Sequence, residues 1–256
     1  MKILAIIITA HKIDSRLVDT LNILKNQRIP KNWKINIYIG VDGCELSASI
    51  LNKHNINYYF SKENVGTYTL FNSVMLEAKK NGYDALLRFD WDDVPLDNFL
   101  YNGIKCLENH PFVRAYFVKT NENLEILEKN KKFQAYGIFF ITNKLMSKVG
   151  GFNKYRIECD NDLIERLKNA GYESIDLSNI IKKIKVFGIK YFFINMSPIF
   201  YRRMRDNSLS SNPVIGHGTE YRMKIKKELE DNRKSGKLRV SDIPRTQLKF
   251  VKNVNN

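Results

Sequence analysis

The stretch Tyr83-Asp84-Ala85-Leu86-Leu87-Arg88-Phe89-Asp90-Trp91-Asp92-Asp93 decides how the rest of the chain is read. Residues 85–89 form a short apolar run preceded by Asn81 and Gly82, which fits a buried strand entered from a turn. The run stops in three carboxylates, Asp90, Asp92 and Asp93, within four residues. At alternating positions past a strand end, Asp90 and Asp92 can turn toward one point, where their like charges repel. A hard divalent cation relieves that repulsion, and magnesium or manganese held by one or two carboxylates fills its other positions with substrate phosphates. The same residues also fit a solvated turn leading to a helix capped by Asp97. Taken alone, they leave both readings open.

Working upstream, the strand-then-helix rhythm repeats. Residues 3–9 are a continuous apolar run of the kind covered on both faces in a parallel sheet. Asp14 is placed to cap a helix in which Leu17, Leu21 and Leu24 recur at helical spacing, and Pro30 ends it. Strands are expected at 35–41 and 56–60, with a short helix at 47–54 between them. Asn64-Val65-Gly66 turns into a helix whose Leu70, Phe71, Val74, Met75 and Ala78 form one apolar stripe, read as core packing. Strands alternating with helices predict βαβ units, hence an α/β fold with a mainly parallel, Rossmann-related central sheet flanked by helices. Ligands of such sheets sit beyond the carboxyl ends of the strands. Thr9, Asp42, Ser61, Asn64 and the 90–93 cluster all fall on that rim.

Downstream the pattern is less regular. A helix is expected at 96–107 and a strand at 114–118. An aromatic strand at 133–141 is read as broken by Gly137, and Gly150-Gly151-Phe152 as a tight turn. Glu158-Cys159-Asp160-Asn161-Asp162 leads into a helix closed by Gly171, and acids in a first turn suit the helix dipole. The stretch 201–210 is polar and basic, 219–237 reads as a charged helix, and 238–256 as an arm with little pattern.

Composition bounds the rest. The chain has 256 residues, 43% hydrophobic and 12% aromatic, enough for a globular core and unlike a disordered chain. No apolar stretch reaches the roughly 20 residues that span a bilayer. Residues 3–10 read as a first strand, not a signal-peptide core. Cys44, Cys106 and Cys159 are widely spaced and odd in number, giving neither a zinc pattern nor a disulfide framework, so a reducing, cytoplasmic setting is expected. The net charge of +15 attracts polyanions: nucleic acid, anionic lipid or nucleotide diphosphates.

Several motifs now stand in one order: Thr9, Asp42-Gly43, Asn64-x-Gly66-x5-Asn72, Asp90-Trp91-Asp92-Asp93, Gly150-Gly151-Phe152, Asp160-Asn161-Asp162-Leu163 and Arg203-x-Arg205-x2-Ser208. Over roughly residues 1–210 this order resembles the inverting GT-A glycosyltransferases of the family 2 type. The resemblance implies a nucleotide-diphosphate-sugar donor lying across the strand ends and a transfer of hexose or pentose to an acceptor hydroxyl. It implies that Asp42 contacts the nucleotide base, with Thr9, Asn64 and Asp90 beside the donor. The DXD element, Asp90, Asp92 and Asp93, is implied to hold Mn2+ or Mg2+ on the diphosphate, and Asp160 to be the base that deprotonates the acceptor. Cys159 departs from the family's usual glutamate, which leaves Glu158 as a competing base. Arg205 stands where many members carry a histidine; Arg202, Arg203 and Arg205 can neutralise the leaving diphosphate, and His217 is an alternative imidazole for the metal or diphosphate. The division implied is 1–110 for the donor, 111–215 for acceptor and catalysis, and 216–256 as a basic helical extension on the acceptor side.

The expected acceptor is a saccharide or a lipid-linked surface glycan, with peripheral contact to a membrane. A phage-type DNA glycosyltransferase acting on a hydroxylated base in host cytoplasm is the alternative, supported by the charge and by basic residues 222–239. On a helix, Lys226, Arg233 and Lys237 fall on one face with Lys227 and Lys234 beside them, a candidate rail for a polyanion. A non-catalytic nucleotide-sugar-binding module is a third reading, opposed by the intact Asp90, Asp92 and Asp160. A nucleotidyltransferase is a fourth, opposed by the lack of a Gly-rich basic loop after the first strand.

Overall fold

A computed structural model describes residues 1–129, 131–172, 198–204, 212–235 and 242–253. Its first half is built as the alternation predicts. Strands β1 (Lys2–Ala10), β2 (Trp33–Asp42), β3 (Tyr58–Ser61) and β4 (Ala85–Phe89) are interleaved with helices α1 (Arg16–Asn26), α2 (Glu45–Lys53) and α3 (Thr67–Lys80). All four strands run parallel, β1 between β2 and β4 and β3 outside β2. The continuous apolar run of β1 is buried from Leu4 to Ala10, because helices cover both faces of the sheet. Leu17, Leu21 and Leu24 bury one face of α1. Asp14 does not cap α1 in the usual way: its carboxylate accepts the Arg16 N–H at 2.9 Å and also grips the Arg16 guanidinium, while Ser15 holds the cap position.

The second half adds β5 (Val94–Pro95), α4 (Phe99–Leu107), β6 (Phe112–Thr120), β7 (Phe133–Thr142), α5 (Asn143–Val149), α6 (Cys159–Asn169), β8 (Ile199–Arg203), α7 (Glu220–Lys234) and β9 (Lys249–Val251). The sheet order is β5-β8-β6-β7-β4-β1-β2-β3-β9, with β7 inserted antiparallel between β4 and β6. Two apolar clusters sandwich it. One centres on Phe89, Phe99, Phe140 and Phe200, the other on Phe71, Phe139 and Phe152 beneath α3, α5 and α6. Each such ring fully buried contributes about 1.5–3 kcal/mol of transfer free energy.

Three expectations are corrected. Strand β7 is not broken at Gly137 but runs through it; the irregularity lies in its pairing with β6, where the register shifts between Arg114 and Tyr116. The helix expected from 96 starts at Phe99, because Val94–Pro95 pairs with β8 and Asn98 adopts φ 60 just before it. The arm from 238 is ordered at 242–253: β9 pairs antiparallel with β3, Asn72 Nδ2 donates to the Pro244 carbonyl at 3.1 Å, and Ser73 Oγ accepts the Thr246 N–H at 2.8 Å. A strand of three residues shows no periodicity, and side chains of α3 hold this segment in place. Among the described residues no helix is long and apolar enough to cross a membrane.

Candidate active site

The carboxyl ends of β1, β2 and β4 open into a cleft of about 1300 Å³, closed on its far side by α6 and α7. At its β1–β2 end, Thr9 Oγ1 lies 2.7 Å from Thr67 Oγ1 at the start of α3. Asp42 is 2% exposed, and its carboxylate accepts the N–H groups of Val65 (2.7 Å) and Gly66 (2.9 Å). It therefore fixes the turn into α3. Burial pushes its carboxyl above the ordinary range, against the pull of those two bonds. The Asp42 carbonyl lies 2.6 Å from His11 Nδ1, and Arg156 Nη2 donates to the Asn64 carbonyl at 2.7 Å. His11 and Arg156 both line the cleft and neither was singled out from sequence.

At the end of β4 the three aspartates part company. Asp90 and Asp92 line the cleft, whereas Asp93 is buried behind them with its backbone carbonyl bonded to Thr20 Oγ1 at 3.1 Å. Burial drives the Asp93 carboxyl well above its usual range; Arg202 opposes this, and the charges of Asp90 and Asp92 add to it. Arg202 lies 3.4 Å from Asp90 Oδ2 and 3.7 Å from Asp93 Oδ2, and Arg203 donates to the Asp92 carbonyl. Arg88 supplies a cation that sequence reading passed over. Its guanidinium is buried, 3.1 Å from Asp90 Oδ1, and donates to the Gly137 carbonyl. A Cβ at Gly137 would come within 2.7 Å of Arg88 Nη1 and 3.6 Å of Asp160 Oδ2, so a glycine there lets Arg88 and Asp160 share one face of β7.

Among the described residues no three His, Cys, Asp or Glu side chains converge into a ligand set, and His217 lines the cleft without joining the aspartates in one. The donor chemistry still suits a hard cation: two cleft-lining carboxylates leave positions for phosphate and water. Among the described residues the buried Asp93 Oδ2 has no hydrogen-bond partner, and the nearest cation is Arg202 Nε at 3.7 Å. Arg205 lies outside the described residues, as do Ser208, Lys237 and Arg239.

The N-terminus of α6 sorts the two candidate bases. Glu158 occupies the cap position with φ 62 and is 5% exposed. Its carboxylate accepts Asn161 Nδ2 at 2.6 Å and Arg222 Nε. Burial raises its carboxyl, but those two partners outweigh burial and hold it below the ordinary range. Asp162 is 1% exposed and bound by Asn153 (3.0 Å), Arg166 (3.0 Å) and Arg233 (2.6 Å). Between them Asp160 is half-buried, lines the cleft and accepts the Asn161 N–H at 3.0 Å. Cys159 is fully buried, and burial pushes its thiol far up, which removes it as a nucleophile. Of the expected basic rail on α7, Lys226, Lys227 and Lys234 are exposed, Lys234 beside Glu230 at 2.7 Å, whereas Arg233 turns inward onto Asp162, as Arg222 does onto Glu158.

No family model matches the chain, and no curated protein does. Solved structures do. The mannosyltransferase PcManGT from Pyrobaculum calidifontis, in complex with GDP-Man and Mn2+, is similar with a TM-score of 0.53 at 12% identity, covering 80% of this chain and 58% of that one. S. aureus TarS is similar with a TM-score of 0.55 at 14% identity over 94% of this chain and 41% of TarS. Its 1–349 form in complex with UDP-GlcNAc gives 0.53 at 15% identity, covering 84% and 62%. This chain thus spans less than two thirds of each. At these identities the likeness concerns the fold alone.

Proposed function

We propose that this chain is a glycosyltransferase that moves a sugar from a nucleotide-diphosphate-sugar to an acceptor hydroxyl with inversion, as enzymes of the family 2 type do. The observation that carries the reading is the environment of Asp160. It lines the cleft together with Asp90 and Asp92, between two acids held by arginines. Thr9, Asn64 and Asp42 line the donor end, with the Asp42 carboxylate shaping the turn that receives the nucleotide. His11 and Arg156 add polar and cationic groups there. Asp90 and Asp92 would hold Mn2+ or Mg2+, which when bound supplies positive charge at the diphosphate. Arg202 and Arg203 stand beside them for the same charge on the leaving group.

Asp160 takes the proton from the acceptor hydroxyl as that oxygen attacks the anomeric carbon opposite the departing nucleotide diphosphate. The bond to the diphosphate breaks as the glycosidic bond forms, and no covalent enzyme intermediate is needed. Glu158 is the weaker candidate, because both its partners favour a carboxylate already committed to hydrogen bonds. A saccharide or lipid-linked glycan is the favoured acceptor. A DNA acceptor loses support from the inward turn of Arg222 and Arg233. The test is a screen of nucleotide-sugars for hydrolysis and transfer with manganese present. Turnover of at least one donor, lost in Asp160→Asn, is expected; no turnover or binding of any nucleotide-sugar would overturn the reading.

A further inference from the structure

Helix α7 lies beyond the motifs used so far, yet it docks on the segment that carries Asp160. Arg222 bonds Glu158, Arg233 lies 2.6 Å from Asp162 Oδ1, and the Tyr155 hydroxyl donates to the Glu228 carboxylate. Ile225 and Leu229 are buried in one small cluster with Ile157. Arg222 and Arg233 are three helical turns apart and so share a face of α7. Their partners flank Asp160 in sequence, two positions to either side.

The backbone under this grip is unusual. Glu158 sits at φ 62, in the left-handed region, without being glycine. A conformation of that kind persists when surrounding contacts over-determine it. Here the contacts are the Asn161 amide and the Arg222 guanidinium, both on the Glu158 carboxylate. On the far side, Asp162 is held by Arg166 from its own helix and by Arg233 from α7.

We infer that Arg222 and Arg233 are positioning residues for the reaction: they clamp the acids on either side of Asp160 and so fix its carboxylate against the cleft. The inference rests on Asp160 being the base. Both arginines also line the cleft, so direct contact with the acceptor is the competing role.

The full-length chain is tested as Arg222→Gln, as Arg222→Lys, and as the paired variant Asp162→Asn with Arg233→Gln, which removes both charges of that pair and leaves Arg166 its bonds to the Val149 and Gly151 carbonyls. Amide hydrogen exchange over 155–164 is measured without substrate, and kcat and KM with a turned-over nucleotide-sugar and acceptor. The clamp predicts that exchange rises most within 155–164, beyond the uniform rise that a lower melting temperature brings to the rest of the chain. It also predicts a kcat about tenfold to hundredfold lower with donor KM kept, since small misplacement of a reacting group has that effect. Arg222→Lys should recover part of kcat. Unchanged exchange in both neutral variants overturns the inference, as does a rise in acceptor KM with kcat kept, which marks direct contact. Failure of the paired variant to fold along with Arg222→Gln also overturns it, leaving α7 a structural role. If the wild type turns over no donor, that result counts against the glycosyltransferase reading, while the exchange data still decide the clamp.

Discussion

Arg88 on β4 and Gly137 on β7 fit each other as a bond and a vacancy: the guanidinium donates to the Gly137 carbonyl and fills the space a side chain there would take. Gly137→Ala sets a methyl 2.7 Å from Arg88 Nη1. Overpacking of this kind costs about 1–3 kcal/mol. The variant should melt several degrees lower and lose most of its transfer activity, because the shift moves Arg88 away from Asp90. A variant with wild-type kcat and melting temperature would remove Arg88 from the site.

Asp160→Asn should lower transfer by about 10²–10⁴-fold, the usual effect of losing a general base. Donor affinity, measured by calorimetry, should stay close to wild type. Glu158→Gln should keep more activity than Asp160→Asn. The reverse order would assign the base to Glu158.

Chelation by EDTA should abolish transfer, and manganese should restore it. Asp92→Asn should be inactive with or without added metal while keeping its far-UV spectrum. Full activity of a metal-free preparation would exclude a metal role for Asp90 and Asp92.

Acid stability should report on the bond between Glu158 and Arg222. The folded-state carboxyl of Glu158 lies below its ordinary value of 4.5. Its contribution to stability is therefore present above that value and lost as pH falls through the lower, folded-state one. Melting temperature followed downward from pH 6 should drop less steeply in Glu158→Gln than in wild type. Parallel curves would show that the pair adds nothing to acid stability.

Duplex DNA tests the remaining acceptor class. Each phosphate neutralised contributes about −0.9 to the slope of log affinity against log salt. With Arg222, Arg233 and Lys234 engaged by acids, a shallow slope or no binding at low salt is expected. A steep slope, flattened by charge reversal at Lys226, would restore the DNA reading.

The parallel half of the fold was legible because buried parallel strands are continuous apolar runs and their helices carry regular stripes, as in β1 and α1. The rim followed from that alternation, which is why Thr9, Asp42, Asn64, Asp90 and Asp92 line one cleft, while Asp160, at the start of α6, was reached only through the family resemblance. Asp93 was not separable from its neighbours, since adjacent side chains past a strand end diverge according to where the backbone turns. Arg88 carried a signal that was passed over: an arginine inside a buried strand demands a partner. The two α7 arginines had the spacing of a shared face, but their partners lie more than sixty residues away, and spacing within one helix says nothing about them.

Strand β9 gives the molecule a late step in its assembly. Its segment bonds back to residues near β3 across 197 positions, through the Asn253 side chain and the Ile56 carbonyl. During synthesis at about 5–20 residues per second, β3 is made roughly ten seconds or more before its outer neighbour exists. For that interval its backbone N–H and C=O groups form an open edge, a template for pairing with another chain. The segment 244–253 thus moves the open edge of the sheet from β3 to the three-residue β9, and nascent chains released short of it should associate more readily as their concentration rises.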